Sequence, residues 1–316
     1  RGEGPEKNGM ISVWLPNVPM TRYVASALVA RAMLRLGQGV PDEAWNDLLA
    51  AHRLARFVSQ GAMLVDHLTG HAIERQLYAT ELVYVEKCRL SSRQLRRRLL
   101  DLQNLPPFGR YADKIDLGER VWMLDILRQI RQGRMELSGF LPKNEPMSAE
   151  QKREVANLDW AEIQRGINRW HDRFATVSRE PDRAARQRDW VQLNREIIAL
   201  KMPPDAYGSP KEFFVKLPNK SPSEAFRDRS LHLFSTTLTS TDSAQRLQDR
   251  VEQYATNLRI GIAVVIFHRE HKRYPVKLED LVPAYLPSVP LDLFSGKPLV
   301  YRPSAEGFMF YSVGAH

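Results

Sequence analysis

Apolar residues return at helical spacing through almost the whole chain, and period-two alternation is confined to residues 299–312. Such a pattern specifies packed helices with room for one small sheet. Proline and glycine divide the helical runs. The first run opens at Thr21, a good N-cap, and carries Ala25, Leu28, Val29, Ala32 and Leu36 before Gly37 and Gly39 stop it. Pro41-Asp42-Glu43 opens the next run, placing proline and two acids at the positive helix end; Ala44, Leu48, Leu49, His52, Leu54, Ala55 and Val58 follow, and Gly61 ends it. Together they predict an antiparallel helical hairpin.

Within that hairpin Ala30, Leu34, Gly37, Ala44, Leu48 and Ala51 have the small-residue spacing of a tetratricopeptide-like repeat, in one clear copy. Helices over Met63–Cys88 and Ser91–Leu102 would form a degenerate second copy, giving a solenoid-like bundle. Beyond Pro106-Pro107 the pattern predicts a helix over Leu117–Arg134. Another begins after the capping signal Ser148-Ala149-Glu150-Gln151 and runs to about Ser178, and one more spans Pro181–Lys201. Proline, glycine and lysine gather in Met202–Pro222, a linker with a short helix at Lys211–Val215. Ser223–Thr237 reads as helix, and Ser240 or Thr241 caps a long final helix with the stripe Leu247, Val251, Tyr254, Leu258, Ile262 and Val265. The implied division is a flexible segment 1–20, a helical domain 21–201, a linker 202–240 and a terminal unit 241–316.

After that helix come Tyr274-Pro275, Leu278-Glu279-Asp280-Leu281-Val282-Pro283, Pro290-Leu291-Asp292, Gly296-Lys297-Pro298 and Tyr311-Ser312-Val313-Gly314. This order resembles the end of type II secretion pseudopilins and the similar tails of large planctomycete envelope proteins. The resemblance covers about a fifth of the chain and implies a mostly α fold whose long helix carries a small α/β cap. It also implies a place in the cell envelope. Arg1 is not an initiator residue, which under this resemblance leads to the expectation of a signal peptide or anchor helix ahead of it. Pseudopilins of this kind often bind calcium in the loop after the Tyr-Ser-x-Gly strand, but Gly314-Ala315-His316 supplies no acid there. Asp292 alone cannot provide the six or more oxygens calcium takes, so no calcium is expected.

A formal charge of +9 makes acidic partners plausible, although acids interleave with many of the arginines as they do on salt-bridged helix faces. The single cysteine, Cys88, excludes an intramolecular disulfide and a thiolate metal cluster. There is no Gly-x-Ser-x-Gly, no Gly-x-Gly-x-x-Gly after a strand and no P-loop.

Two polar groupings stand out. His67, His71, Glu74, Tyr78 and Glu81 recur at steps of four, three, four and three, which puts all five on one helix face, with His52 on the preceding helix as their outside partner. Such a stripe reads either as a hydrogen-bonded groove lining or as a metal or proton-transfer site on His67, His71 and Glu74. Those three span two turns, about 10 Å at 1.5 Å per residue, so they cannot all reach one ion on a straight helix. Hence no cofactor is expected. The second grouping is the basic run Arg89, Arg93, Arg96, Arg97 and Arg98, a solvated face or a patch for a protein or an anionic membrane surface. Nucleic acid is the weaker partner, since no recognised binding motif accompanies the run. Together these readings favour a non-enzymatic, envelope-associated scaffold that binds a protein or peptide.

Overall fold

The computed structural model describes residues 17–135, 146–200, 220–238 and 240–314. It is mostly helical, with a small two-stranded antiparallel sheet near the C-terminus. The proposed flexible start up to residue 16 and the Lys211–Val215 helix lie outside the described residues.

The chain forms two compact units, and they redraw the linear division. Residues 16–61, 65–109 and 244–316 make one unit, so the terminal helix and its cap belong with the N-terminal helices. The other contains residues 110–243 together with 62–64.

In the first unit the hairpin consists of α1 (Asn17–Gly37) and α2 (Pro41–Ser59). Helix α1 begins ahead of Thr21 because Pro19 falls in the first turn, where proline's missing N–H has no helical partner to lose. Gly39 adopts φ +77° in the turn, the left-handed conformation that glycine tolerates. The pair is fixed by Asp47, which receives Arg31 at 2.7 Å and Arg35 at 2.7 Å. Ala30 and Leu34, which a repeat-like spacing would turn inward, are exposed; the buried side of α1 is Ala25 and Ala32, with Leu28, Val29 and Leu36 packed beside them.

Helix α3 (Leu64–Lys87) crosses α2 closely at Gly70, where an added Cβ would lie 2.5 Å from the Ala55 carbonyl oxygen and 2.9 Å from the Ser59 Cβ. The glycine therefore costs helix propensity but permits the crossing. Helix α4 (Ser92–Gln103) starts from a reciprocal Ser91/Gln94 capping box. Cys88 is buried in the same core.

Two chain regions of the second unit depart from the sequence expectation. The helix expected from Leu117 begins at Tyr111: α5 (Tyr111–Asp113) passes through a π-helical turn, Lys114–Glu119, into α6 (Arg120–Arg131). Exposed Leu117 masks the periodicity there, and the turn brings Gly118 against the Ala62 carbonyl, where a Cβ would not fit. The single run expected from Ser148 to Ser178 is broken into α7 (Ala149–Ala156) and α8 (Trp160–Arg179), because Asp159 caps a fresh start by accepting the Glu162 N–H at 3.0 Å. The Ser148/Gln151 capping box is present. Helices α9 (Arg183–Ala199) and α10 (Pro222–Leu238) complete this unit around Met123, Ile126, Ile163, Ile167 and Phe226.

The long helix, α11 (Ser240–His271), buries two faces in the first unit. Leu258, Ile262 and Ile266 join the core of α1–α4, while Ile260, Ala263, Val264 and Phe267 meet the cap through Leu278, Leu281, Leu286 and Leu299. A helix buried on two sides holds both neighbours in place. The cap is a 3-10 turn (Leu278–Leu281) and the hairpin β1 (Val300–Pro303) and β2 (Phe308–Tyr311), with Val300 opposite Tyr311 and Pro303 opposite Phe308. Asp292, 1% exposed, organises the loop before it. Its carboxylate accepts from the Ser312 hydroxyl at 2.6 Å, the Ser295 hydroxyl at 2.7 Å and the Phe294 and Val313 amides at 3.3 Å. Burial pushes this acid up, but those hydrogen bonds outweigh burial and hold it below the usual carboxylate range.

Candidate functional site

The polar stripe of α3 and His52 of α2 do come together. Ala51 and Ala55 on α2 and Leu77 on α3 exclude water around them, and His52 points across the interface between two carboxylates of α3. Its Nδ1 lies 3.0 Å from both Glu74 oxygens and its Nε2 lies 2.8 Å from Glu81 Oε1. A ring with an acidic acceptor at each nitrogen uses a proton on both, so His52 is an imidazolium. Burial alone would lower its pKa; the charges of Glu74 and Glu81 overcome this and raise it to about 10.

The two acids are not equivalent. Burial pushes Glu74 up, but His52 and Arg56, whose guanidinium is 3.3 Å from Glu74, outweigh it and hold that carboxyl below its ordinary value. For Glu81 burial wins and its pKa is raised, because His52 is its near cation and Glu74 is a like charge close by. The two cationic side chains of α2 thus face the two carboxyl groups of α3, so opposite charges are buried together in this quartet.

The rest of the stripe falls into two parts. Below the quartet His67 and His71 are buried with ring centres 4.2 Å apart, and His71 stacks on Phe108 at 4.1 Å. His71 Nδ1 donates to the His67 carbonyl at 2.9 Å, while its Nε2 finds no hydrogen-bond partner among the described residues. Burial lowers the His71 pKa to about 4, so this imidazole is neutral. Arg56 lies over the other partner of that stack, 3.6 Å from the Phe108 ring centre. Between the two glutamates on α3, Tyr78 stacks on Tyr254 of α11 at 4.7 Å and hydrogen-bonds to Asn257. Asn257 accepts from Gln253 at 2.7 Å, and Gln253 accepts the Leu293 amide of the cap at 2.8 Å.

Chemically this is an ionic clasp between α2 and α3. Each His52 nitrogen faces a carboxylate, and both carboxylates are buried. Among the described residues no three His, Cys, Asp or Glu side chains are grouped to hold a metal. His67 and His71 stay together, but Glu74 is engaged by His52 and Arg56, and His71 stacks on Phe108. Sequence reasoning missed Arg56 and Phe108. Arg56 was readable, since it follows His52 by four residues on the same face. Phe108 had no local signal; its loop is fixed by Gln60 donating to the Pro107 carbonyl at 3.0 Å and the Gly109 amide donating to Ser59 at 3.1 Å.

The basic run does not act as one patch. Arg98 is buried, reaching Asp42 and the Tyr84 hydroxyl, and Arg96 binds Glu270 at 3.1 Å and the Ala284 carbonyl at 3.1 Å. Arg89, Arg93 and Arg97 are exposed.

A mostly helical protein with a small antiparallel cap and a sealed histidine-carboxylate clasp is the class that fold and site define. No family model, curated protein or solved structure matches the chain. No helix among the described residues is long and apolar enough to cross a membrane.

Proposed function

We propose that this is a non-enzymatic, envelope-associated interaction protein whose helical body holds an apolar segment of a partner protein. The supporting observation is a cleft of about 560 Å³ between α1 and α2, lined by Val18, Met20, Val24, Leu54, Phe57 and Val58. Phe57 is 77% exposed and Met20 62% exposed, and nothing among the described residues covers them. Each would gain on the order of 2 kcal/mol from burial, which is the characteristic driving force of a helix or strand laid in a groove. The sealed clasp beneath keeps α2 and α3 in register and so holds one wall of the cleft. The envelope setting draws on the likeness of the C-terminal segment to pseudopilin tails.

A photo-crosslinking amino acid at position 57, introduced in the cells that make the protein, tests this. A discrete cross-linked protein identified by mass spectrometry, lost when Val24→Glu is added, supports the reading. Cross-links only within the chain, or binding of one equivalent of zinc or iron that His71→Ala abolishes, would overturn it.

A further inference from the structure

We infer that the end of the first unit formed by the α3–α4 turn, α4 and the last turn of α11 is a docking surface for an anionic lipid bilayer. Arg269 donates to the Cys88 carbonyl at 3.1 Å and Arg96 binds Glu270, so the end of α11 and the start of α4 meet there. Lys87, Arg89, Arg93, Arg97 and Lys272 are all exposed at these segments. The nearby carboxylates are already engaged: Glu86 with Lys87, Glu270 with Arg96 and the Tyr285 hydroxyl, and Asp42 and Asp101 with Arg98. Arg89, Arg93 and Arg97 meet no carboxylate among the described residues.

Helix stability does not account for these arginines. The first turn of α4 carries no acid, and Arg93 sits in it, at the positive end of the helix dipole, where a cation is unfavourable. Arg93 and Arg97 are four apart, a spacing at which like charges repel. An external anion relieves both costs. Leu100 continues the stripe at the next helical step and is 56% exposed. Exposed apolar side chains set among arginines suit the boundary between headgroups and acyl chains. They gain nothing on a phosphate backbone, and the exposed aromatics among the described residues that could stack bases, Tyr23, Phe57 and Tyr311, lie on other elements. This surface shares no residue with the apolar cleft and does not depend on it.

Co-sedimentation of the full chain with phosphatidylglycerol/phosphatidylcholine vesicles tests the assignment. Binding should need phosphatidylglycerol and weaken with salt. Arg93→Ala/Arg97→Ala should lose about 30-fold, at roughly fivefold per basic residue near an anionic surface. Arg128→Ala/Arg131→Ala changes net charge equally from exposed positions on α6 and should lose little. Leu100→Ser should weaken binding and leave the salt dependence unchanged. Circular dichroism and melting temperature check that each variant is folded. Equal losses from the two arginine pairs, equal binding to pure phosphatidylcholine, or tighter binding of duplex DNA through Arg93 and Arg97 would each overturn the assignment.

Discussion

Replacing His52 with leucine probes the clasp most directly, because leucine fills the space and removes only the charge and the two donors. Glu74 and Glu81 would then share a buried site with Arg56 as their near cation. Breaking a buried ion pair by removing one partner costs about 3 to 5 kcal/mol, a large part of the 5 to 15 kcal/mol that holds a domain together. The pH dependence identifies the cause. In the native protein the raised pKa of His52 contributes stability that is full below 6.5 and lost as pH climbs through about 10. Glu74, whose pKa is lowered, contributes stability above its unfolded value of 4.5 that is lost as pH falls further. Without the imidazolium, Glu81, already raised by burial, rises further, so the folded variant holds a proton that the unfolded chain releases. The deficit relative to the native protein should therefore shrink as pH falls from 7 toward 4.5. Urea denaturation at pH 7, 6 and 5 measures it. A companion variant with His52→Leu, Arg56→Met, Glu74→Leu and Glu81→Leu should recover most of the loss, since apolar residues of similar volume replace a buried ion network at little cost. A deficit under about 1 kcal/mol at pH 7, or one that does not change with pH, would refute an ionic clasp.

Four further outcomes are expected. Leu258→Ala should destabilise by about 2 to 5 kcal/mol by urea titration, since its site between α11 and the N-terminal helices is buried. Gly70→Ala should lower stability by about 1 to 3 kcal/mol although alanine is the better helix former, because the Ala55 carbonyl leaves no room for the Cβ; an increase in melting temperature would show that the crossing can open. The pKa values of His71 and His171 are each lowered by burial to about 4, so each is without penalty above 6.5 and costs about 3 kcal/mol of stability as pH falls from 6.5 to about 4. His171→Leu should flatten that acid limb without changing stability near pH 8 by more than about 1 kcal/mol. Asp292→Ala should lower the melting temperature by removing the acceptor for Ser295, Ser312 and two amides, whereas calcium and chelators should leave the native melting temperature unmoved, which differential scanning calorimetry would check.

Local pattern was enough for the helices that carry their own start and stop signals. Pro41-Asp42-Glu43, the Ser148 capping box and the Gly39 turn are decided within a few residues, and the structure places elements where these signals put them. The hairpin about Ser304–Gly307 was legible for the same reason: period-two alternation on both sides and a glycine at the turn. Helical spacing also placed His67, His71, Glu74, Tyr78 and Glu81 on one face and named His52 as their partner, because one helix fixes its own faces.

Tertiary structure decided what depends on residues far apart in sequence. The clasp depends on Arg56 pairing with Glu74 and the packing beside it on Phe108 stacking on His71, and the latter comes from a loop with no periodicity to read. The break at Asn157 and the π-helical turn at Gly118 follow from a cap and from a close approach to Ala62 that no helical wheel contains. The joining of residues 244–316 to the N-terminal hairpin rests on Leu258, Ile262 and Ile266 reaching a core built mostly from residues 25–99. Hydrophobic periodicity says which face of a helix must leave water, and only the folded chain supplies the surface that face is buried against.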